Sequence, residues 1–98
     1  MKVSLQKADG TLTVAVEGNI DTVTAPDLEN RLRAEWDGIT ELVLDLAAVG
    51  YVSSAGLRVM LTADKHMAGA GRMTLKNITP SVREVLNMTG LNELLNIE

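Results

Sequence analysis

A short and almost uninterrupted apolar run, residues 42–46, constrains the fold more than any other feature of this sequence. The run reads Leu-Val-Leu-Asp-Leu, and such runs are typical of strands that are covered on both faces. We therefore predict that it forms the central strand of a sheet. A chain of 98 residues buries about 60 to 65% of its unfolded surface, which is enough for one core. We expect a single domain over residues 1–98.

Two alternating segments near the start of the chain predict a β-hairpin. Residues 3–5 alternate apolar and polar side chains, and residues 11–17 do so again. The Asp9-Gly10 pair between them is a strong hairpin-turn signal. The chain is therefore expected to begin with two antiparallel strands.

Two helices are predicted around the apolar run from their capping residues and terminating glycines. The first begins after Thr24 and stops before Gly38, with apolar residues at helical spacing between them. The second begins at Ser53 or Ser54 and runs to about Ala68.

The last third of the sequence predicts one more strand and one more helix. Residues 73–75 are a short apolar strand, and Thr79 starts a helix that ends before Gly90. Val82, Val85, Leu86 and Met88 lie at helical spacing within it. The predicted order is β-β-α-β-α-β-α, an α/β architecture with helices following strands.

The charge balance and the absence of cysteine exclude several functions. Nine basic residues are scattered among thirteen acidic ones, giving a net charge of −4, which argues against a grip on nucleic acid. Without cysteine there is no disulfide framework and no thiolate metal site, so a reducing cytoplasm fits best. No apolar run approaches the roughly 20 residues that span a bilayer. We expect a cytoplasmic protein that is not inserted in a membrane.

Two adjacent serines, Ser53 and Ser54, lie where the second helix begins. Serine is a preferred N-cap, so capping alone is one interpretation. The functional interpretation is that one cap needs only one hydroxyl, while Ala55 and Gly56 leave the neighbouring surface nearly free of side chains. A hydroxyl at a helix N-terminus also tolerates a phosphate, because the helix dipole favours its added charge of about −2.

Other polar residues give little support to catalysis. There is no G-x-S-x-G motif, and His66 lies about 18 Å along the same helix from Ser54 at about 1.5 Å per residue, so we interpret it as a surface histidine. Asp21 and Asp45 follow strand ends near the expected position of Ser54. We interpret Asp45 as an acceptor for N–H groups in the loop after it. Two distant carboxylates do not predict a metal site, and we expect no enzyme activity and no cofactor.

The whole chain resembles the STAS domain family, and within it the bacterial anti-sigma factor antagonists. The resemblance rests on the order and spacing of residues 17–21, 44–46, 53–57 and 88–91. It implies a STAS-type α/β domain, with a mixed sheet of four to five strands and helices packed mainly on one face.

This resemblance also implies a partner switch. Family members of this kind bind an anti-sigma factor that is a serine kinase of the histidine-kinase-like ATPase type, and so release a sigma factor. Phosphorylation of a serine at the start of the second helix blocks binding, and a serine phosphatase restores it. The usual motif is Asp-Ser-Ser-Gly-Leu with the acceptor directly before glycine, but here Ala55 holds that place and Ser53 the acidic one. Ser54 is the first choice of acceptor, and Ser53 the second.

The residues expected to contact the partner are Asp21, Thr22, Ser53, Ser54, Ala55, Gly56, Leu57 and Arg58.

Two other functions stay open at this point. One is a STAS accessory subunit of a transporter or sensory complex, which would dock through the same surface without being phosphorylated. The other is binding of a small ligand such as a nucleotide, which has been suggested for some family members. The sequence offers that ligand neither a phosphate loop nor an aromatic platform.

Overall fold

A two-residue turn joins the first two strands, as the Asp9-Gly10 pair predicts. In the computed structural model, which describes residues 1–98, β1 (Lys2–Ala8) pairs antiparallel with β2 (Thr11–Glu17). Asp9 and Gly10 both have positive φ angles, 52° and 81°. A type I′ turn requires this, and its twist matches that of the two strands it joins.

The other elements follow in the predicted order, with two short additions at the end. They are α1 (Ala25–Glu35), β3 (Glu41–Ala48), α2 (Ser54–Ala68), β4 (Arg72–Lys76), α3 (Pro80–Thr89), a 3₁₀ turn (Leu91–Glu93) and β5 (Asn96–Ile97). The predicted α/β order is confirmed, and β5 gives the sheet its fifth strand. None of the helices combines the length and the apolar character that crossing a bilayer demands.

The five strands form one mixed sheet in the order β1-β2-β3-β4-β5. Only β1 and β2 are antiparallel, and the three other pairings are parallel. β3 is therefore the central strand, as predicted. Its coverage on both faces is incomplete, because Val43 is buried whereas Asp45 is half-buried and Ala47 is exposed.

One hydrophobic core fills the space between the helices and one face of the sheet. Leu42 and Leu44 of β3 lie beside Leu12 and Val14 of β2, and all four are almost fully buried. A single cluster of 25 buried residues joins these strands to all three helices, so the domain has one core and not two. The largest fully buried side chains on the helices are Leu28 and Leu32 of α1 and Met60 and Met67 of α2, and their spacing puts each pair on the inner face of its helix.

An aromatic stack ties the end of α1 to α2. The rings of Trp36 and His66 lie 4.0 Å apart and are inclined by 11°, and the Arg33 guanidinium lies 5.0 Å from the Trp36 ring. His66 is half-buried. It therefore lies at the surface, as interpreted from the sequence, and its ring also packs on the single tryptophan.

The start of β4 passes unusually close to the chain just before β3. The Arg72 N–H donates to the Thr40 carbonyl at 3.1 Å. A Cβ on Gly71 would lie only 1.7 Å from that same carbonyl oxygen. The close approach of the two backbones therefore depends on the absence of a side chain at residue 71.

Candidate functional site

The two serines at the start of α2 differ in what holds them. Ser53 is the N-cap: its Oγ accepts a long hydrogen bond of 3.5 Å from the Gly56 N–H. Its own N–H donates to the Ile20 carbonyl at 2.8 Å. Ser54 is the first residue of the helix, is exposed, and takes part in no side-chain hydrogen bond. One hydroxyl is thus used in capping and the other is free.

A backbone bridge brings the segment before α1 beside the segment before α2. Ile20 and Val52 pair as an isolated parallel bridge, and the Ile20 N–H donates to the Tyr51 carbonyl at 3.0 Å. The bridge explains how residues more than thirty positions apart in sequence share one surface. It places Asp21 and Thr22 next to the serines.

The carboxylate of Asp21 shapes the turn that leads into α1. Its Oδ1 accepts hydrogen bonds from the N–H groups of Val23 and Thr24, both at 3.0 Å. In return the Thr24 hydroxyl accepts a bond from the Asp21 N–H at 2.9 Å. Thr24 is the residue before the helix, as predicted, but its hydroxyl serves this turn and does not cap the helix N–H groups.

These contacts make the ionised form of Asp21 favourable. The hydrogen bond from the Thr24 N–H is the largest cause that holds the pKa of this carboxyl below its ordinary value, and the Val23 N–H adds to it. The folded chain therefore favours the charged form more than the unfolded chain does. The stability that results is complete above the unfolded pKa and is lost as the pH falls through the folded one.

We expect Asp21→Asn to lower thermal stability at pH 7, because the variant keeps an oxygen acceptor but loses the charge. The difference from the original protein should shrink as the pH falls below the ordinary aspartate pKa of about 4 and further through the lowered pKa of Asp21 in the folded chain. Melting temperatures measured by circular dichroism from pH 7 to pH 2 test this. A difference that stays constant over that range would contradict it.

The structure brings the predicted contact residues together but does not expose all of them. Thr22, Ser54 and Arg58 are exposed. Gly56 and Leu57, which were predicted as partner contacts, are buried, so they offer a partner little surface. We call the exposed and half-buried members the serine surface. It consists of Asp21, Thr22, Ser53, Ser54, Ala55 and Arg58.

Gly56 has a structural task under this surface. A Cβ there would lie 2.7 Å from the Val52 Cγ1 atom, 2.8 Å from the Ile20 Cγ2 atom and 3.0 Å from the Ile20 carbonyl oxygen. These are the two residues of the backbone bridge. The missing side chain lets the first turn of α2 lie directly on that bridge.

A cleft extends the serine surface between α1 and α2. Its volume is about 330 Å³, and it includes three members of the serine surface, Thr22, Ala55 and Arg58. Glu29 is the other charged residue in the cleft, and its carboxylate is paired with Arg33 at 2.8 Å.

Two exposed apolar residues flank the serine surface and were not among the predicted contacts. Val23 is 85% exposed and Tyr51 is 51% exposed. Each lies within three residues of the bridge between Ile20 and Val52. Neither has a signal in the apolar periodicity of the sequence, because both lie in segments between regular elements, where only the tertiary structure decides what is exposed.

Asp45 lies apart from this surface. It accepts hydrogen bonds from the Ala47 N–H at 3.1 Å and from the Asn77 side chain at 3.2 Å. It lines a different cleft, together with Lys2 and Ser4. Its carboxylate therefore holds the backbone after its own position, as interpreted from the sequence, and the expectation that it neighbours Ser54 is not supported. No three potential metal-ligating side chains cluster anywhere in the protein.

Comparisons with known proteins agree on one family. The family model described as the STAS domain matches residues 2–98. BtrV of Bordetella bronchiseptica, named as a candidate anti-sigma factor antagonist, is 39% identical over 92 residues, which are 92% of this chain and 79% of that protein. The anti-sigma-B factor antagonist of Bacillus subtilis is 26% identical over 99% of this chain and 90% of its own. The crystal structure of an anti-sigma factor antagonist from Mycobacterium paratuberculosis superposes with a TM-score of 0.88 at 30% identity, covering 98% of this chain and 83% of that one.

Proposed function

This chain belongs to the STAS domain family, and we propose that it acts as an anti-sigma factor antagonist. It binds an anti-sigma factor through the serine surface, which frees a sigma factor. The partner is also a serine kinase of the histidine-kinase-like ATPase type. Phosphorylation of Ser54 ends the binding, and a serine phosphatase restores it. The names and the nearly full-length alignment of the relatives support this function, which belongs in the cytoplasm, where sigma factors act.

The observation that carries the proposal is that the two serines differ in exposure and in hydrogen bonding. Ser53 is half-buried and its hydroxyl accepts a hydrogen bond from the Gly56 N–H, whereas the Ser54 hydroxyl is exposed and forms no hydrogen bond within the protein. A kinase must reach its acceptor oxygen, so Ser54 is the better substrate. This choice keeps a phosphorylated serine at the start of α2 although Ala55 holds the usual acceptor place.

A phosphate on Ser54 is compatible with the fold of the free protein. The N–H groups of Ser54 and Ala55 have no hydrogen-bond acceptor within the chain, because they open the helix. These N–H groups and the helix dipole favour an added charge of about −2. The modification therefore acts on the partner and not by unfolding this domain.

Phosphorylation blocks binding because the contact is close. Around Ser54 the serine surface consists mainly of short side chains, which lets a partner approach nearly to the backbone. Burying a phosphate without a matching cation costs several kcal/mol, and about 1.4 kcal/mol already weakens binding tenfold. One modified side chain is enough to switch the complex off.

The acceptor assignment is tested by incubating the protein with its cognate kinase and ATP and mapping the phosphate by mass spectrometry. We expect modification at Ser54 and none in Ser54→Ala. Ser53→Ala should lose about 1 kcal/mol of stability through its cap and still be modified. Phosphate found only elsewhere, or none at all, would overturn the assignment. A transporter subunit recovered as the stable partner would favour the accessory function instead.

We expect Ser54→Asp to weaken binding to the anti-sigma factor at least tenfold, because it places a fixed charge in the contact. Isothermal titration calorimetry with the purified partner measures the effect. Ser81→Asp is the matched control, since Ser81 is also exposed in the first turn of a helix, α3, but lies outside the serine surface. The charge-repulsion mechanism fails if both variants bind as the original protein does.

A further inference from the structure

Arg58 is the one cation on the serine surface, and no acidic group of the protein forms an ion pair with it. Its side chain is exposed and takes part in none of the ion pairs of the structure. The only other charged member of that surface, Asp21, is engaged by the N–H groups of Val23 and Thr24. Arg58 is therefore the only charged group of this surface that has no bonding partner within the protein, whose net charge is −4.

Arg58 also stands one helical turn after Ser54. Both are on α2 (Ser54–Ala68), and residues four apart are neighbours on a helix surface, with Cβ atoms about 5 to 6 Å apart. Helical side chains lean toward the N-terminus, so the Arg58 side chain leans toward Ser54. A phosphate on Ser54 would come within reach of the guanidinium.

From these two facts we infer that Arg58 reads the state of Ser54: it pairs with a carboxylate of the partner when Ser54 is unmodified and with the phosphate when it is modified. The inference rests on the proposed function and adds the element of regulation. Guanidinium binds carboxylate and phosphate through the same forked geometry, so one group excludes the other. Phosphorylation then acts twice, by adding a repelling charge and by removing an attracting one.

We expect the partner's contacting group to be acidic, because the neighbouring cleft has no unpaired carboxylate that could attract a basic side chain of the partner. Glu29 is the only acidic residue lining it, and its carboxylate is held by Arg33 at 2.8 Å. Arg58 and the open N–H groups of α2 are what remains for an incoming side chain. An aspartate or glutamate of the anti-sigma factor fits this arrangement.

The first experiment measures the affinity of the unmodified protein for its anti-sigma factor by calorimetry at low and high salt. Arg58→Gln should weaken binding at least tenfold and flatten its salt dependence, and Arg58→Lys should recover part of the affinity. Lys65→Gln is the matched control, since Lys65 is another exposed and unpaired cation of α2. Arg58→Gln binding as tightly as Lys65→Gln would overturn the inference.

The second experiment needs neither kinase nor partner. Phosphoserine is incorporated at position 54 by genetic encoding, and the phosphate is titrated by phosphorus NMR in the original sequence and in Arg58→Gln. We expect the phosphate pKa to be lower in the original sequence, because the guanidinium favours the dianion. Identical titration curves would contradict the pairing.

The two proposals can fail separately. If phosphoserine at position 54 leaves partner binding unchanged, the proposed switch is wrong, whatever the titration shows. If it weakens binding by the same factor in Arg58→Gln as in the original sequence, the switch stands and the role of Arg58 is wrong. A smaller factor in Arg58→Gln supports both.

Discussion

Replacing Gly71 by alanine is expected to lower the free energy of unfolding by about 3 kcal/mol or more, the largest stability effect that we predict. The added Cβ would lie 1.7 Å from the Thr40 carbonyl oxygen, a distance at which the backbone itself must move. That movement would strain the hydrogen bond from the Arg72 N–H to the same oxygen. It would also disturb the pairing of β4 with β3, whose register begins there.

Gly69→Ala is the matched control for this result. Gly69 is the C-cap of α2, with φ at −89°, and a Cβ there would meet nothing within 4 Å. Alanine at such a site leaves stability unchanged or raises it by up to about 1 kcal/mol, because the unfolded chain loses freedom. Urea denaturation of both variants gives the comparison. Equal stabilities would show that the close approach at Gly71 is not needed.

Gly56→Ala is expected to destabilise the protein by about 1 to 3 kcal/mol, although alanine is the better helix former by about 1 kcal/mol. The new Cβ would press on Ile20 and Val52, which are buried and stiff at χ1 because they are β-branched. The first turn of α2 would have to lift from the bridge. The change should therefore reach the serine surface as well as the core.

The measurements for this variant are urea denaturation and partner affinity below the unfolding transition. We expect both a lower urea midpoint of unfolding and weaker partner binding, because Ser53 and Ser54 belong to the displaced turn. Gly50→Ala serves as the control, since Gly50 is exposed and a Cβ there would meet no atom within 4 Å. The urea midpoint and the partner affinity of Gly50→Ala should match those of the original protein. A Gly56→Ala protein that is more stable than the original would show that helix propensity outweighs the packing.

The helix boundaries could be predicted from the sequence because local chemistry sets them. Ser53 and Thr79 cap α2 and α3 through their own hydroxyls, and Gly90 ends α3 with φ at 78°. A cap depends on atoms within three residues of it. Reading the residues in order was therefore sufficient to locate these ends.

The arrangement of the site could be predicted only in part, because distant contacts decide it. Gly56 is buried because it packs against Ile20, which is 36 positions earlier in the chain. No local pattern in the sequence shows that these two residues are neighbours. Val23 and Tyr51, which flank the serine surface, are 85% and 51% exposed, although Val23 is apolar and Tyr51 largely so. Their exposure depends on how turns and helices pack, and apolar character alone does not determine it.

The two-residue strand β5 has a consequence for how this protein meets copies of itself at high concentration. Thr74 and Leu75 of β4 pair with Asn96 and Ile97, and the Glu98 N–H donates to the Leu75 carbonyl at 2.9 Å. Without these bonds, the edge of an apolar strand would present unpaired backbone groups as a template for strand addition. Residues 96–98 thus protect the edge of β4 from pairing with another copy of the chain. We expect that removing them would first lower the solubility of the protein.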